Sequence, residues 1–213
     1  PGAGKTTFVN RLCLTLAQNQ WEGLERWPES ERNLLPIHVI LRDFALWLED
    51  HDTPPRANMA LLWDFICHEL SRRKLEFAKH LLDKALNEHQ ALVVLDGLDE
   101  VPPAWRALVL DTVDAFSKHF SKTRCLVTCR IASYEQKKWQ LPEQRFSVHQ
   151  LAPFNDEKIN AFIDAWYGEI ALRWRSESRA REQAAKLKIA ARRQDLGRIA
   201  PNPLLLTVMA LVH

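Results

Sequence analysis

The sequence has few cysteines and no long apolar run, and each shortage excludes a class of protein. No stretch approaches the roughly 20 apolar residues that a membrane-spanning helix needs. The four cysteines form no C-x-x-C pair and have no histidine at zinc-ligand spacing, which excludes the common zinc modules. Cys125 and Cys129 fall in one predicted strand, about 13 Å apart by strand geometry, which is too far for a disulfide. We therefore expect free, buried thiols and a cytoplasmic location.

A large excess of one charge is also missing, since 29 Lys and Arg face 27 Asp and Glu and the net charge is +2. Such a balance does not support nucleic acid or a membrane surface as a partner. The charge is nevertheless segregated, because residues 173–198 hold nine Lys and Arg against three Asp and Glu, a net charge of +6. We interpret this stretch as a helix with a solvated basic face; contact with nucleic acid or an acidic partner is the alternative.

Apolar runs alternate with amphipathic stretches, which is typical of a parallel sheet with crossover helices. Strand signals stop near residue 150, so we predict an α/β domain over residues 1–150 and the start of a helical subdomain over 151–213. The predicted strands are 37–41, 91–95, 125–129 and 146–148. The predicted helices are 5–16, one or two within 57–88, 105–120, one capped by Asn155 or Asp156, 176–194, and one starting near Pro203.

Only six glycines occur, and two of them lie in the opening Pro1-Gly2-Ala3-Gly4-Lys5-Thr6-Thr7. These residues match the second half of the P-loop pattern G-x-x-x-x-G-K-[ST], whose first glycine would precede Pro1, so we expect the chain to begin inside a longer protein. Glycines let backbone N–H groups face phosphate oxygens, and the following helix presents its positive end to the same anion. Lys5 adds a charge, and the Thr6 hydroxyl suits Mg²⁺. A plain turn before a helix is the alternative.

A second motif follows the most apolar predicted strand. Residues 91–95 lead into Asp96, then Gly97, Asp99 and Glu100. A carboxylate at the carboxyl end of a central parallel strand faces the crevice where ligands bind, and Asp96 is placed to hold Mg²⁺ there. Asp99 or Glu100 then orients or deprotonates the attacking water. Solvated acids at a strand end are the alternative.

A third motif is the run Cys125-Leu126-Val127-Thr128-Cys129-Arg130, interpreted as a strand that ends in arginine. An arginine there can contact the γ-phosphate and sense its loss, although a solvated strand cap is the alternative. The sequence contains no N-K-x-D run, the guanine-reading pattern of P-loop GTPases, so ATP is favoured over GTP.

Together these three motifs resemble the NACHT family of STAND-type P-loop NTPases, over almost the whole chain. The discriminating details are the small residue Gly97 directly after the Mg²⁺ aspartate and the paired acids that follow it. The resemblance implies a three-layer P-loop sandwich with a parallel sheet of order 5-1-4-3-2, here without its first strand, followed by a helical subdomain. It also implies that Pro203 packs on the adenine side of the nucleotide; a plain helix start is the alternative.

The resemblance implies an ATP-binding, slowly hydrolysing, Mg²⁺-dependent switch that self-associates with ATP and closes with ADP. It implies innate-immune or antiviral signalling, with effector and sensor domains outside this chain. Two other functions stay open: a nucleotide-regulated STAND transcription activator, and an AAA-like ATPase that acts on nucleic acid, for which no basic and aromatic groove is evident.

Overall fold

The computed structural model describes residues 2–20, 27–50 and 56–213. They divide into two compact units. One, here called the sheet unit, is Thr6–His149; the other, here called the helical unit, combines residues 2–5 with Gln150–His213. The described part of the chain contains no helix long and apolar enough to cross a membrane.

The sheet unit is built on three parallel strands: β1 (Leu35–Ile40), β2 (Ala91–Asp96) and β3 (Arg124–Val127). The order is β1-β2-β3, so β2 lies in the centre. All six residues of β2 are buried, which explains why its sequence is a continuous apolar run rather than an alternating one. The protein is therefore mixed α/β, as the alternation of strand and helix signals predicts.

Helices cover both faces of this sheet. Val93 and Leu95 of β2 belong to a core with α2 (Leu41–Glu49), α3 (Met59–Arg72), α4 (Lys79–Asn87) and α5 (Arg106–His119). Leu92 and Val94 point to the other side, where they pack with Val9, Leu12 and Leu16 of α1 (Lys5–Gln18). Successive strand residues thus serve opposite layers.

Among the described residues one predicted strand is absent, and the ends of the other three differ from the prediction by one or two residues. Residues 146–148 form no strand, because no described strand pairs with them. β3 ends at Val127, not at residue 129; the Thr128 backbone still donates to the Leu95 carbonyl and accepts from the Leu98 N–H, but the residues after it pair with no described strand. β1 stops at Ile40, where α2 begins at once. The predicted helices 5–16, 57–88 and 105–120 are confirmed, the second as the pair α3 and α4.

The helical unit holds α7 (Asp156–Trp174), α8 (Glu177–Ala190) and α9 (Pro203–Val212), while the short α6 (Ile131–Tyr134) belongs to the sheet unit. Asn155, Ser176 and Asn202 cap α7, α8 and α9, each accepting a hydrogen bond from the first turn. The three helices share one apolar core, which includes Ile163, Leu187 and Leu206.

Candidate functional site

The glycine loop before α1 has the conformation that an anion-binding loop needs. Gly2 and Gly4 have φ of +78° and +79°, in the left-handed region that side-chain-bearing residues avoid. Ala3 lies between them, and α1 begins at Lys5. Successive backbone N–H groups in turns of this kind, before the positive end of a helix, form a concave site for phosphate.

The loop also contacts the start of α9 within the helical unit. Leu204 donates its backbone N–H to the Gly2 carbonyl at 3.3 Å. A Cβ on Gly2 would lie 2.7 Å from Leu204 Cβ and 3.0 Å from Asn202 Oδ1, so only glycine fits there. A Cβ on Gly4 would lie 3.8 Å from Pro203 Cγ. The structure therefore brings Pro203 beside the predicted phosphate loop, and it also confirms Pro203 as the first residue of a helix.

Lys5 is half-buried, and Thr6 and Thr7 are exposed at the start of α1. Across the three described ranges, Lys5 makes neither an ion pair nor a side-chain hydrogen bond. A lysine without an internal carboxylate partner is available to an external anion.

Asp96 ends the central strand and is held by a residue from the neighbouring strand's extension. The Thr128 hydroxyl donates a hydrogen bond to Asp96 Oδ1, and the Gly97 backbone N–H donates to the same hydroxyl oxygen at 2.9 Å. Asp96 is 8% exposed and Thr128 is 7% exposed. One carboxylate oxygen is thus fixed by the protein, which orients the carboxylate at the carboxyl end of the sheet.

Two further side chains approach Asp96, and sequence reasoning missed both. His38 of β1 places Nε2 3.9 Å from Asp96 Oδ2. The pKa of the Cys13 thiol on α1 is raised, first by burial and second by the negative charge of Asp96. The available signal was the two-residue period of β1, which puts His38 and Ile40 on one face, with Ile40 in register with Asp96.

The segment after Asp96 is a tight turn. Gly97 has φ of +82°, and Leu98–Glu100 form a single 3₁₀ turn with Leu98 fully buried. A Cβ on Gly97 would lie 3.4 Å from Glu100 Cδ, so the small residue gives the acidic side chain room. The Glu100 carboxylate is 44% exposed and lies 3.8 Å from Arg42 Nη1.

Asp99 faces the other way and binds Arg130. Its carboxylate accepts a hydrogen bond from the Arg130 backbone N–H at 2.8 Å and forms an ion pair with Arg130 Nε at 2.9 Å. The sequence predicted that Arg130 ends a strand, which is wrong: β3 ends at Val127, and Arg130 lies directly before α6. The predicted residues therefore all lie at the carboxyl ends of two adjacent strands of the sheet unit: Asp96 is the last residue of β2, Asp99 and Glu100 follow it, and Arg130 follows β3.

The donor chemistry of this end of the sheet fits Mg²⁺, which prefers carboxylate and hydroxyl oxygens. Within the described ranges no three His, Cys, Asp or Glu side chains group into a metal cage. Mg²⁺ does not require one, because in nucleotide sites it is commonly held by one or two protein oxygens, water and phosphate. The Thr128 hydroxyl donates to Asp96 Oδ1, so Oδ2 is the carboxylate oxygen that would bind the ion.

Comparisons of the chain with protein-family models, with curated proteins and with solved structures found no match.

Proposed function

We propose that this chain is the ATPase core of a STAND-type signalling protein of the NACHT family, which binds ATP with Mg²⁺ and hydrolyses it slowly. The observation that carries the proposal is the end of β2. There a buried aspartate oriented by Thr128 precedes a left-handed glycine and two acids that point in different directions. A fixed carboxylate beside a solvent-exposed one suits metal binding and water activation by two different groups.

Two other features support the proposal. The strand order β1-β2-β3 is the order that a 5-1-4-3-2 sheet gives to its second, third and fourth strands. The positive φ of Gly2 and Gly4, directly before a 14-residue helix, suits a phosphate cradle. Parallel sheets with this connectivity bind ligands beyond the carboxyl ends of their strands.

The roles that we propose follow the chemistry of each residue. Gly2, Ala3, Gly4 and Thr7 surround the phosphates with backbone and hydroxyl donors, and Lys5 contributes a positive charge. Thr6 and Asp96 hold Mg²⁺, which neutralises phosphate charge when it is bound. Asp99 and Glu100 are the two candidates for the attacking water, and Arg130 and Pro203 contact the nucleotide in a state-dependent way.

The basic segment does not support a second function. Arg181 pairs with Glu177 at 2.9 Å, Lys186 with Glu182 at 2.7 Å, and Lys188 with Asp164 at 2.6 Å. Arg179 stacks over the only aromatic in the segment, Trp174, at 4.6 Å. These local partners favour a solvated helix surface over a strip for nucleic acid.

Lys5→Ala tests the proposal. In the protein that carries this chain, we expect the substitution to weaken ATP binding by at least about 100-fold, since it removes the only lysine of the loop and a charge-assisted contact. Titration with a fluorescent ATP analogue measures the change. The matched control is Lys122→Ala, an exposed lysine in the turn before β3, at the other end of the sheet. Equal affinity for Lys5→Ala and Lys122→Ala would overturn the assignment of the loop.

A further inference from the structure

The two acids that follow Asp96 differ in their surroundings. The Asp99 side chain is 6% exposed; one of its carboxylate oxygens accepts a hydrogen bond from the Arg130 backbone N–H, and the other forms an ion pair with Arg130 Nε. The Glu100 side chain is 44% exposed, and its carboxylate lies 3.8 Å from its charged neighbour, Arg42. A general base must touch the water from which it takes a proton. Of the pair, only Glu100 has a carboxylate that reaches solvent to a substantial extent.

Asp99 holds Arg130 at two points, although 31 residues separate them in the sequence. One contact is to the backbone N–H and the other is to Nε, so the carboxylate fixes both where the chain leaves β3 and how the guanidinium is turned. With Nε paired to Asp99, the planar guanidinium can change its orientation only through rotations within the arginine side chain.

The contact with Asp99 holds Arg130 in place but engages only its backbone N–H and Nε. Its side chain is 52% exposed, and its two terminal nitrogens make no hydrogen bond within residues 27–50 and 56–213. These nitrogens carry the paired N–H donors that match phosphate oxygens. Because the nearly buried Asp99 carboxylate binds one edge of the Arg130 guanidinium, the opposite edge faces outward.

We infer that Asp99 is a positioning residue that aims Arg130 at the γ-phosphate, and that Glu100 alone acts on the attacking water. The inference rests on the proposed function, because it assigns roles within the same nucleotide site. In this assignment Asp99 and Arg130 act together to distinguish ATP from ADP, and Glu100 serves hydrolysis.

The test is a double-mutant cycle in the protein that carries this chain, with affinities for ATP and ADP measured separately. We expect Asp99→Ala and Arg130→Ala each to reduce the preference for ATP over ADP by about tenfold to 100-fold, the range for a hydrogen bond to a charged group. The double variant should lose no more than either single variant, because one residue acts through the other.

Two more variants separate positioning from other roles. Asp99→Asn keeps the shape and one acceptor oxygen, and it should also lower the preference for ATP, so the test does not depend on Asp99→Ala folding. Glu100→Gln should keep the preference for ATP and lose turnover. A purely structural role of Asp99 would lower ATP and ADP affinity together, whereas the inference leaves ADP affinity unchanged.

The inference is overturned if the Asp99 variants lose turnover while keeping the ATP preference, or if the effects of Asp99→Ala and Arg130→Ala multiply. These outcomes differ from a failure of the proposed function. In that case the unsubstituted protein binds neither nucleotide, or binds both without needing Lys5, and the inference falls with it.

Discussion

At the scale of single residues, burial changes the chemistry of one thiol in the sheet. Cys125 lies on β3 and packs against the apolar core on the α5 side. Burial raises the pKa of its thiol from the ordinary value of 9.0 to about 11, because the thiolate would be poorly solvated there. None of the four cysteines forms a disulfide, and they are partly rather than fully buried, which corrects the expectation of buried thiols.

This raised pKa predicts a pH-dependent contribution to stability. A group whose pKa is higher in the folded state stabilises the protein fully below its unfolded pKa and stops doing so as pH rises through the folded pKa. Between pH 9 and about pH 11, the unfolding free energy should therefore fall more steeply in the unsubstituted protein than in Cys125→Ala. The two-unit shift corresponds to about 2 to 3 kcal/mol.

Urea denaturation of both proteins across this pH range measures the difference in slope. Lysines and tyrosines also titrate there, but they are common to both proteins and cancel in the comparison. Parallel curves would show that the Cys125 thiolate is as well solvated in the folded protein as in the unfolded one.

Residue identities at the end of β2 were readable from the sequence, but their contacts were not. A carboxylate after an apolar run predicts Asp96 at a strand end, because only that pattern combines a buried strand with a ligand-facing acid. The hydrogen bond from Thr128 to Asp96 and the pair of Arg130 with Asp99 join residues more than 30 positions apart. Such contacts depend on the register between β2 and β3, which no local pattern encodes.

At the scale of helices and strands, the ends of elements are decided by single side chains. Asn155 caps α7 by accepting the Lys158 N–H at 2.9 Å, as its position before an amphipathic run predicts. Asn202 caps α9 by accepting the N–H groups of Leu204 and Leu205. The prediction of a strand at 146–148 was wrong because a strand depends on a distant partner rather than on a local side chain. A strand needs a hydrogen-bonding partner, and a short apolar run does not reveal whether one exists.

The two asparagine caps make a matched pair for a test at this scale. Asn155→Ala and Asn202→Ala should each lower the free energy of unfolding by about 1 kcal/mol, the usual cost of a lost N-cap. Asn202 Oδ1 also lies 3.0 Å from where a Gly2 Cβ would be, and Leu204 donates to the Gly2 carbonyl, so this cap supports the glycine loop as well.

Only Asn202→Ala should therefore also weaken ATP binding, by about fivefold for a loss of similar size. Chemical denaturation gives the stabilities, and nucleotide titration gives the affinities. Asn155→Ala serves as the control for a cap that touches no part of the loop. If both variants bind ATP as the unsubstituted protein does, the contact between the loop and α9 has no role in nucleotide binding.

At the scale of the whole molecule, the fold class follows from the pattern of apolar and amphipathic segments, while the order of the strands in the sheet does not. Alternating apolar runs and amphipathic stretches predict a parallel sheet with helices, because parallel strands need crossovers. Which strand lies in the centre is a tertiary outcome, and the fully buried run of β2 was its main sequence signal. Charge segregation was readable too, but the ion pairs of α8 became visible only in the structure.

The last prediction concerns self-association, which a nucleotide switch must couple to the bound phosphates. A ligand shifts an equilibrium between two states only by the difference in its affinity for them. We expect a larger assembly with ATP than with ADP, measured by size-exclusion chromatography with light scattering. Glu100→Gln is the right protein for the measurement, because slow turnover would otherwise convert ATP to ADP during the run.

Lys5→Ala is the control for this measurement, and it should have the same size with either nucleotide because it binds neither tightly. If Glu100→Gln binds ATP and still has one size with ATP and with ADP, the protein is an ATPase whose bound nucleotide does not control assembly. If its assembly grows with ATP and Arg130→Ala abolishes that growth, the γ-phosphate contact couples binding to assembly, since Arg130 is the residue that we expect to distinguish the two nucleotides.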